Sequence, residues 1–185
     1  FTYMTQPVIT IKRVVIVGGG IAGLSTAYAL LEEAKKLGQS WLENSIIEGP
    51  DASEIPQSRE EAFFVQDLMA KVIGKDISGW KVGATSPKMR ELDGHDGVIP
   101  GRIFSPVTFV GPIQRLPIHQ FTNARVETEF AFQLKEDIPI RDQKWTTSDL
   151  EDKVIMHPAV EIIGTRHQLH NATKSEKSLM TIADN

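Results

Sequence analysis

The sequence predicts a mixed α/β fold, and three features carry that expectation. The first is a β-branched apolar run, Arg13 to Val17, broken by Gly18-Gly19-Gly20 and followed by Ile21 to Leu37, which is rich in Ala, Leu, Glu and Lys. β-Branched residues favour strand and straight-chain residues favour helix, so the stretch reads as strand, glycine turn and helix. The second is Ser58 with Glu61 three residues on, a capping box that opens a helix whose apolar stripe is Val65, Leu68, Met69 and Val72. The third is Val126 to Leu134, where Val126, Thr128, Phe130, Phe132 and Leu134 alternate with Glu127, Glu129, Ala131 and Gln133. A period of two puts these sets on opposite faces of a strand.

The intervening stretches follow from turn chemistry. Gly38 suits a helix stop. Residues 39–57 hold Gly49, Pro50, Asp51, Ser53 and Pro56 and read as a linker. The expected division is a Rossmann-like βα segment over residues 1–48 and a second domain over 49–185. From Ser78 the pattern changes to short strands and turns: Ser78 to Gly83 is extended, Gly94, Gly97, Pro100 and Gly101 mark turns, and Ile103 to Val110 is extended again. Ser148 with Glu151 predicts a capped helix to about Met156, and Pro158 to Gly164 a last strand. There is no internal repeat and no low-complexity tract.

Composition narrows the function. Of 185 residues, 41% are hydrophobic and 24% charged, which suits a globular protein with a core. A net charge of −4 without a block of Lys and Arg gives nothing to attract a phosphate backbone, so nucleic acid is not expected as a partner. The absence of cysteine excludes disulfides, zinc–thiolate sites and iron–sulfur clusters. No apolar run approaches the roughly 18 residues of a membrane span, and Val14 to Val17 is too short for a signal peptide. A cytoplasmic protein is the expectation, with association of identical chains left open.

Glu127 and Glu129 carry the most chemistry. Two apart on a strand, their side chains leave one face with Cα atoms roughly 6–7 Å apart. Carboxylates that close repel unless a cation sits between them or one takes up a proton. Hard oxygen ligands suit Mg²⁺ or Mn²⁺. Spacing alone favours the simpler reading, a solvated strand face.

The surrounding residues add to this. Ala124-Arg125-Val126-Glu127-Thr128-Glu129-Phe130-Ala131-Phe132 resembles the metal-binding strand of 2-keto-4-pentenoate hydratases, in the fumarylacetoacetate-hydrolase-like superfamily. Gly79-Trp80-Lys81-Val82-Gly83-Ala84-Thr85 resembles that family's lysine strand, Pro158-Ala159-Val160-Glu161-Ile162-Ile163 the strand bringing a third acid, and Ser58 to Lys71 the helix before the lysine strand. The four segments come in the family's order over roughly residues 59–185. The resemblance implies a β-rich core, with Glu127, Glu129 and Glu161 as ligands of Mg²⁺ or Mn²⁺ and Lys81 as the catalytic cation beside the substrate. That core is expected to be incomplete at the carboxyl end, because the family continues past Ala183-Asp184-Asn185. It further implies a lyase of aromatic catabolism, a hydratase or decarboxylase, acting on a short 2-hydroxydienoate or 2-oxo acid, with hydrolytic C–C cleavage of an acylpyruvate left open. One departure bears on hydration. The family often has an acid just before the turn glycine where this chain has Ile99 in Val98-Ile99-Pro100-Gly101-Arg102, with Asp96 close by as a substitute. His95 in the same turn is a further proton-transfer candidate, and His167 with His170 could share a helix face.

The front of the chain points elsewhere. Gly18-x-Gly20-x-x-Gly23 after a strand and before a helix has the context of a dinucleotide fingerprint, and Glu48 after Ile46 and Ile47 stands where a ribose-binding acid would. Val14 to Ser25 resembles the amino terminus of FAD-dependent oxidoreductases. This likeness spans only about residues 12–48. A fragment of an FAD-dependent oxidoreductase is therefore the alternative reading, an inactive truncated relative of the hydratases the other.

Overall fold

The structure, a computed structural model, describes residues 21–112, 115–118, 121, 123–169 and 172–185. Its elements are α1 (Ile21–Glu43), α2 (Arg59–Ile73), β1 (Ile77–Gly83), α3 (Pro87–Asp93), β2 (Ile99–Phe104), β3 (Arg125–Leu134), α4 (Thr147–Leu150), β4 (Val154–Ile163) and α5 (Lys174–Ala183). Antiparallel β1 and β2 form one two-stranded sheet, antiparallel β3 and β4 another. Among the described residues, no helix is long and apolar enough to cross a membrane.

The core follows from helical spacing. Leu30, Ala34 and Leu37 of α1 recur at three and four residues and face Ala62, Val65, Met69 and Ile73 of α2. Ile99 and Phe104 of β2 and Ile182 and Ala183 of α5 complete the cluster, with Trp41 edge-on to Phe104 at 5.1 Å. Ser58 caps α2 by accepting the Glu61 N–H at 3.1 Å. The Glu61 carboxylate reaches the Gln57 N–H rather than that of Ser58, so only half of the expected capping box closes.

Four local expectations change. Gly38 does not stop α1, which runs on to Glu43 through the first part of the expected linker. Its role is close packing: a Cβ there would lie 2.7 Å from Val72 Cβ and Cγ1 and 3.2 Å from the Met69 carbonyl. Pro100 and Gly101 lie within β2, and extended structure ends at Phe104, where Ser105–Val107 make a 3-10 turn. The expected helix to Met156 is shorter. Thr146 and Asp149, not Ser148 and Glu151, cap α4, and the chain is in β4 from Val154, where Met156 pairs with Phe132. The β-branched pair Val154-Ile155 decides this, because each adds a rung to a ladder that a helix would forgo. Asp149 accepts from Thr146 N–H at 2.8 Å and from Arg141, and these bonds hold its carboxyl down at about 2.

The second sheet leaves its apolar face uncovered. Val126, Phe130 and Phe132 are 61–69% exposed, as are Met156 at 60% and Val160 at 63% on the partner strand. Alternation is as expected, but that face meets no core among the described residues.

The Gly38 contact is open to test. Ala favours helix over Gly by about 1 kcal/mol, whereas overpacking a filled site costs about 1–3 kcal/mol. Gly38→Ala should therefore lower the urea midpoint, and Val72→Ala in the same chain should recover part of the loss. A midpoint equal to or above wild type for Gly38→Ala alone would show that α1 and α2 do not meet there.

Candidate metal centre

Strand register alone brings three carboxylates together. Glu127 and Glu129 project from one face of β3 by their two-residue spacing, and Glu161 stands directly across the ladder from Glu127. Opposed residues of an antiparallel pair share a face, so all three acids point the same way. One oxygen of each lies within 4.8 Å of the others. Two oxygens on one Mg²⁺ are at most about 4.2 Å apart, since each bond is about 2.1 Å. Small side-chain rotations close that difference.

The charge balance is one-sided. Lys81 Nζ lies 3.4 Å from Glu161 Oε1. Among the described residues, Glu127 and Glu129 have no ion pair and both are exposed. Two like charges about 5 Å apart repel by about 1 kcal/mol even in water. The cluster thus costs stability until a cation joins it, and hard carboxylate oxygens are the donors that Mg²⁺ and Mn²⁺ take.

Lys81 is placed by the first sheet. In the β1–β2 ladder it stands opposite Gly101, and on the same face Gly83 stands opposite Ile99 and Gly79 opposite Ile103. Gln66 fixes this sheet to two helices. Its side chain is buried; Nε2 donates to the carbonyls of Pro100 at 3.1 Å and Ile182 at 3.0 Å, and Oε1 accepts from Arg102 at 3.0 Å. Arg102 also pairs with Asp67 and lies 4.9 Å over the Trp80 ring.

The strand bearing Glu161 is held at its far end. Arg166 pairs with Asp184 beyond α5, and its carbonyl accepts the Ile47 N–H at 3.0 Å. His167 Nε2 lies 2.7 Å from Glu33 Oε1, both side chains being buried. The two approach closely without the alignment of a hydrogen bond. Neither residue stood out in the sequence as a pair, since 133 positions of chain lie between them and no local spacing links them.

The remaining candidates go elsewhere. Ile99, at the expected acid position, is core. Asp96 pairs with Arg59 at 2.8 Å. His95 Nδ1 lies 2.6 Å from Ser178 Oγ, and burial pushes its pKa down. His167 occupies an extended bridge to Ile47 and is not on a helix, while His170 lies outside the described residues. Gly18 and Gly20 lie outside them too. Gly23 is in the first turns of α1, and Glu48 is exposed beside the isolated Ile47–His167 bridge. The strand expected at Arg13 to Val17 lies outside the described residues as well.

No family model matches the chain. Its fold is similar to that of a solved structure, 4-oxalocrotonate decarboxylase from Pseudomonas putida G7 complexed with magnesium and adipate. The TM-score is 0.66 over 86% of this chain, at 19% sequence identity. The chain spans 59% of that protein's length. At that identity the likeness is one of fold alone.

Gln66→Leu keeps the volume of the side chain, takes the Gln66 donor from the Pro100 carbonyl and leaves the Ile182 carbonyl only the backbone N–H groups at the end of α5. A buried acceptor that loses its donor costs about 1–3 kcal/mol, so urea unfolding should show a loss of about 1–3 kcal/mol. A loss under about 0.5 kcal/mol would mean that Gln66 does not tie β2 to α5.

Proposed function

We propose that the chain is a divalent-metal-dependent lyase acting on a short 2-oxo or 2-hydroxydienoate acid of the kind formed in aromatic catabolism. The observation that carries this reading is the cluster of Glu127, Glu129 and Glu161 beside Lys81. The fold's likeness to a magnesium-complexed decarboxylase supports it.

Glu127, Glu129 and Glu161 would hold Mg²⁺, with Mn²⁺ as the other hard cation that such donors accept. A divalent ion bound there supplies Lewis acidity to the 2-oxygen of the acid. Every other part falls to the chain. Three carboxylates and a divalent cation sum to a formal −1, which repels an anionic substrate. Lys81 removes that charge and presents a donor on the substrate side. Glu161 in turn keeps the lysine side chain in place at 3.4 Å.

Decarboxylation is favoured over hydration by what surrounds the site. Adding water needs a group to carry a proton to carbon. Ile99 cannot, Asp96 is engaged by Arg59, and His95 by Ser178. Loss of CO₂ from a 2-oxo acid needs mainly a place for the electron pair to go, with protonation from solvent afterwards. 4-Oxalocrotonate is the first substrate to assay for CO₂ release.

Calorimetry tests the metal site directly. Wild type should bind Mg²⁺, and Glu127→Ala/Glu129→Ala should reduce the affinity at least tenfold. Equal heats from both proteins would take these residues out of the reading. A second titration adds oxalate to the Mg²⁺-loaded protein. Lys81→Met retains most of the stem and deletes the charge, so oxalate should bind at least tenfold more weakly while the Mg²⁺ affinity holds or rises. Unchanged oxalate binding by folded Lys81→Met would remove the lysine from the substrate side.

A further inference from the structure

Beside Lys81 the structure places a second polar group that the acidic cluster does not account for. Gly101, opposite Lys81 in the ladder, is buried, and the space above its Cα is already taken. A Cβ built there would stand 3.0 Å from Lys81 Cε, 2.5 Å from Asn185 Nδ2 and 2.8 Å from Asn185 Cγ. The lysine stem and the asparagine amide therefore meet over this glycine, side by side. Any side chain at 101 would separate them.

Three contacts bring Asn185 to that place. Gln66 ties the Ile182 carbonyl to the same side chain that holds Pro100. Arg166 holds Asp184. The Asn185 backbone N–H closes the end of α5 on the Ile182 carbonyl at 3.4 Å. The side chain itself is lightly committed. Nδ2 reaches the Ile99 carbonyl at 3.4 Å, the long limit of a hydrogen bond, and among the described residues Oδ1 has no partner. An amide so placed has a free N–H and is half-buried beside the cation.

We infer that Asn185 is a substrate-orienting residue: its amide N–H donates to an oxygen of the anionic acid whose charge Lys81 meets. A neutral donor next to a cation makes two hydrogen bonds to one anionic group without adding charge. The inference rests on the lyase reading above and names a residue which that reading leaves unused. It also gives Gly101 a reason. The glycine is the floor on which both donors lie.

The test uses the full chain with Mg²⁺ and oxalate. Asn185→Asp is isosteric and replaces the donor with a charge that repels the anion, whereas Asn185→Ala only deletes the donor. Mg²⁺-loaded Asn185→Ala should bind oxalate about tenfold more weakly, and Asn185→Asp more weakly still. Both should keep the wild-type melting temperature within a few degrees and the wild-type Mg²⁺ affinity or better. In the wild type, the Asn185 side-chain NH₂ resonances, assigned by their loss in Asn185→Asp, should shift on adding oxalate and not on adding Mg²⁺ alone. Equal oxalate affinity in Asn185→Ala, or NH₂ resonances that oxalate does not move, would overturn the inference while leaving the metal site standing. Absence of Mg²⁺ binding by wild type would overturn the lyase reading and the inference with it.

Discussion

One buried amide holds together what the rest of the site depends on. Gln66 sits on the apolar stripe of α2, where a hydrophobic residue would pack as well, and it bonds to β2 and to the end of α5 at once. Burying an amide is unfavourable unless its donors and acceptor are met. Here Nε2 has two carbonyls and Oε1 has a guanidinium. Such a group accepts no sliding of its partners. It sets α5 against β2, the strand paired with the one that carries Lys81, and it does so more sharply than apolar contacts alone, which tolerate small shifts.

The two sheets meet the site in different ways. The β1–β2 sheet is backed by α2 and α5 and is part of the core. The β3–β4 sheet is a two-stranded ribbon of ten residues per strand, exposed over β3 on both faces. A ribbon like this is marginal by itself. Its attachments are polar: Lys81 to Glu161, Arg166 to Asp184, and the buried Glu33–His167 pair that fastens the chain beyond β4 to α1. Removing one member of that buried pair would leave the other uncompensated, which is where such pairs cost most. The acids are thus carried by the least packed part of the described fold, and the lysine by a strand whose partner, β2, reaches the core.

What the sequence revealed depended on the range of the interaction. Glu127 and Glu129 could be seen to share a face because a strand's period is two. Glu161 could be attached to them only through family resemblance, as register across thirty residues is not a local property. Ser58 as the cap of α2 was legible for the same local reason. Gly38 was misread because a glycine's two uses look alike in sequence. It can end a helix, or it can let another helix come close, and only Val72 distinguishes them. The helix expected through Met156 failed where a cap signal and β-branched residues overlapped, and pairing with β3 decided the outcome. Glu33 with His167, and Asn185 with Lys81, lay beyond any pattern, being contacts between distant elements.

The acidic cluster is most informative as an imbalance. Along α1, Lys36 pairs with Glu54 of the following loop and Lys35 with Glu32, and each pair shifts the lysine's pKa upward through its hydrogen bond. The face of β3 and β4 instead gathers three acids, with Lys81 on Glu161 and Arg125 at the start of the same strand face. A surface selected only for solubility would intersperse the signs, and a core would exclude them. Three like charges on one face of a ribbon that is already weakly packed add repulsion where there is least stability to spare. Under the proposed function, a cation held between them would relieve that repulsion. A cation that binds the folded chain and not the unfolded one stabilises it by mass action. On that reading the ion would supply both the missing charge and part of the ribbon's stability, and folding of β3–β4 and assembly of the site would answer to one control.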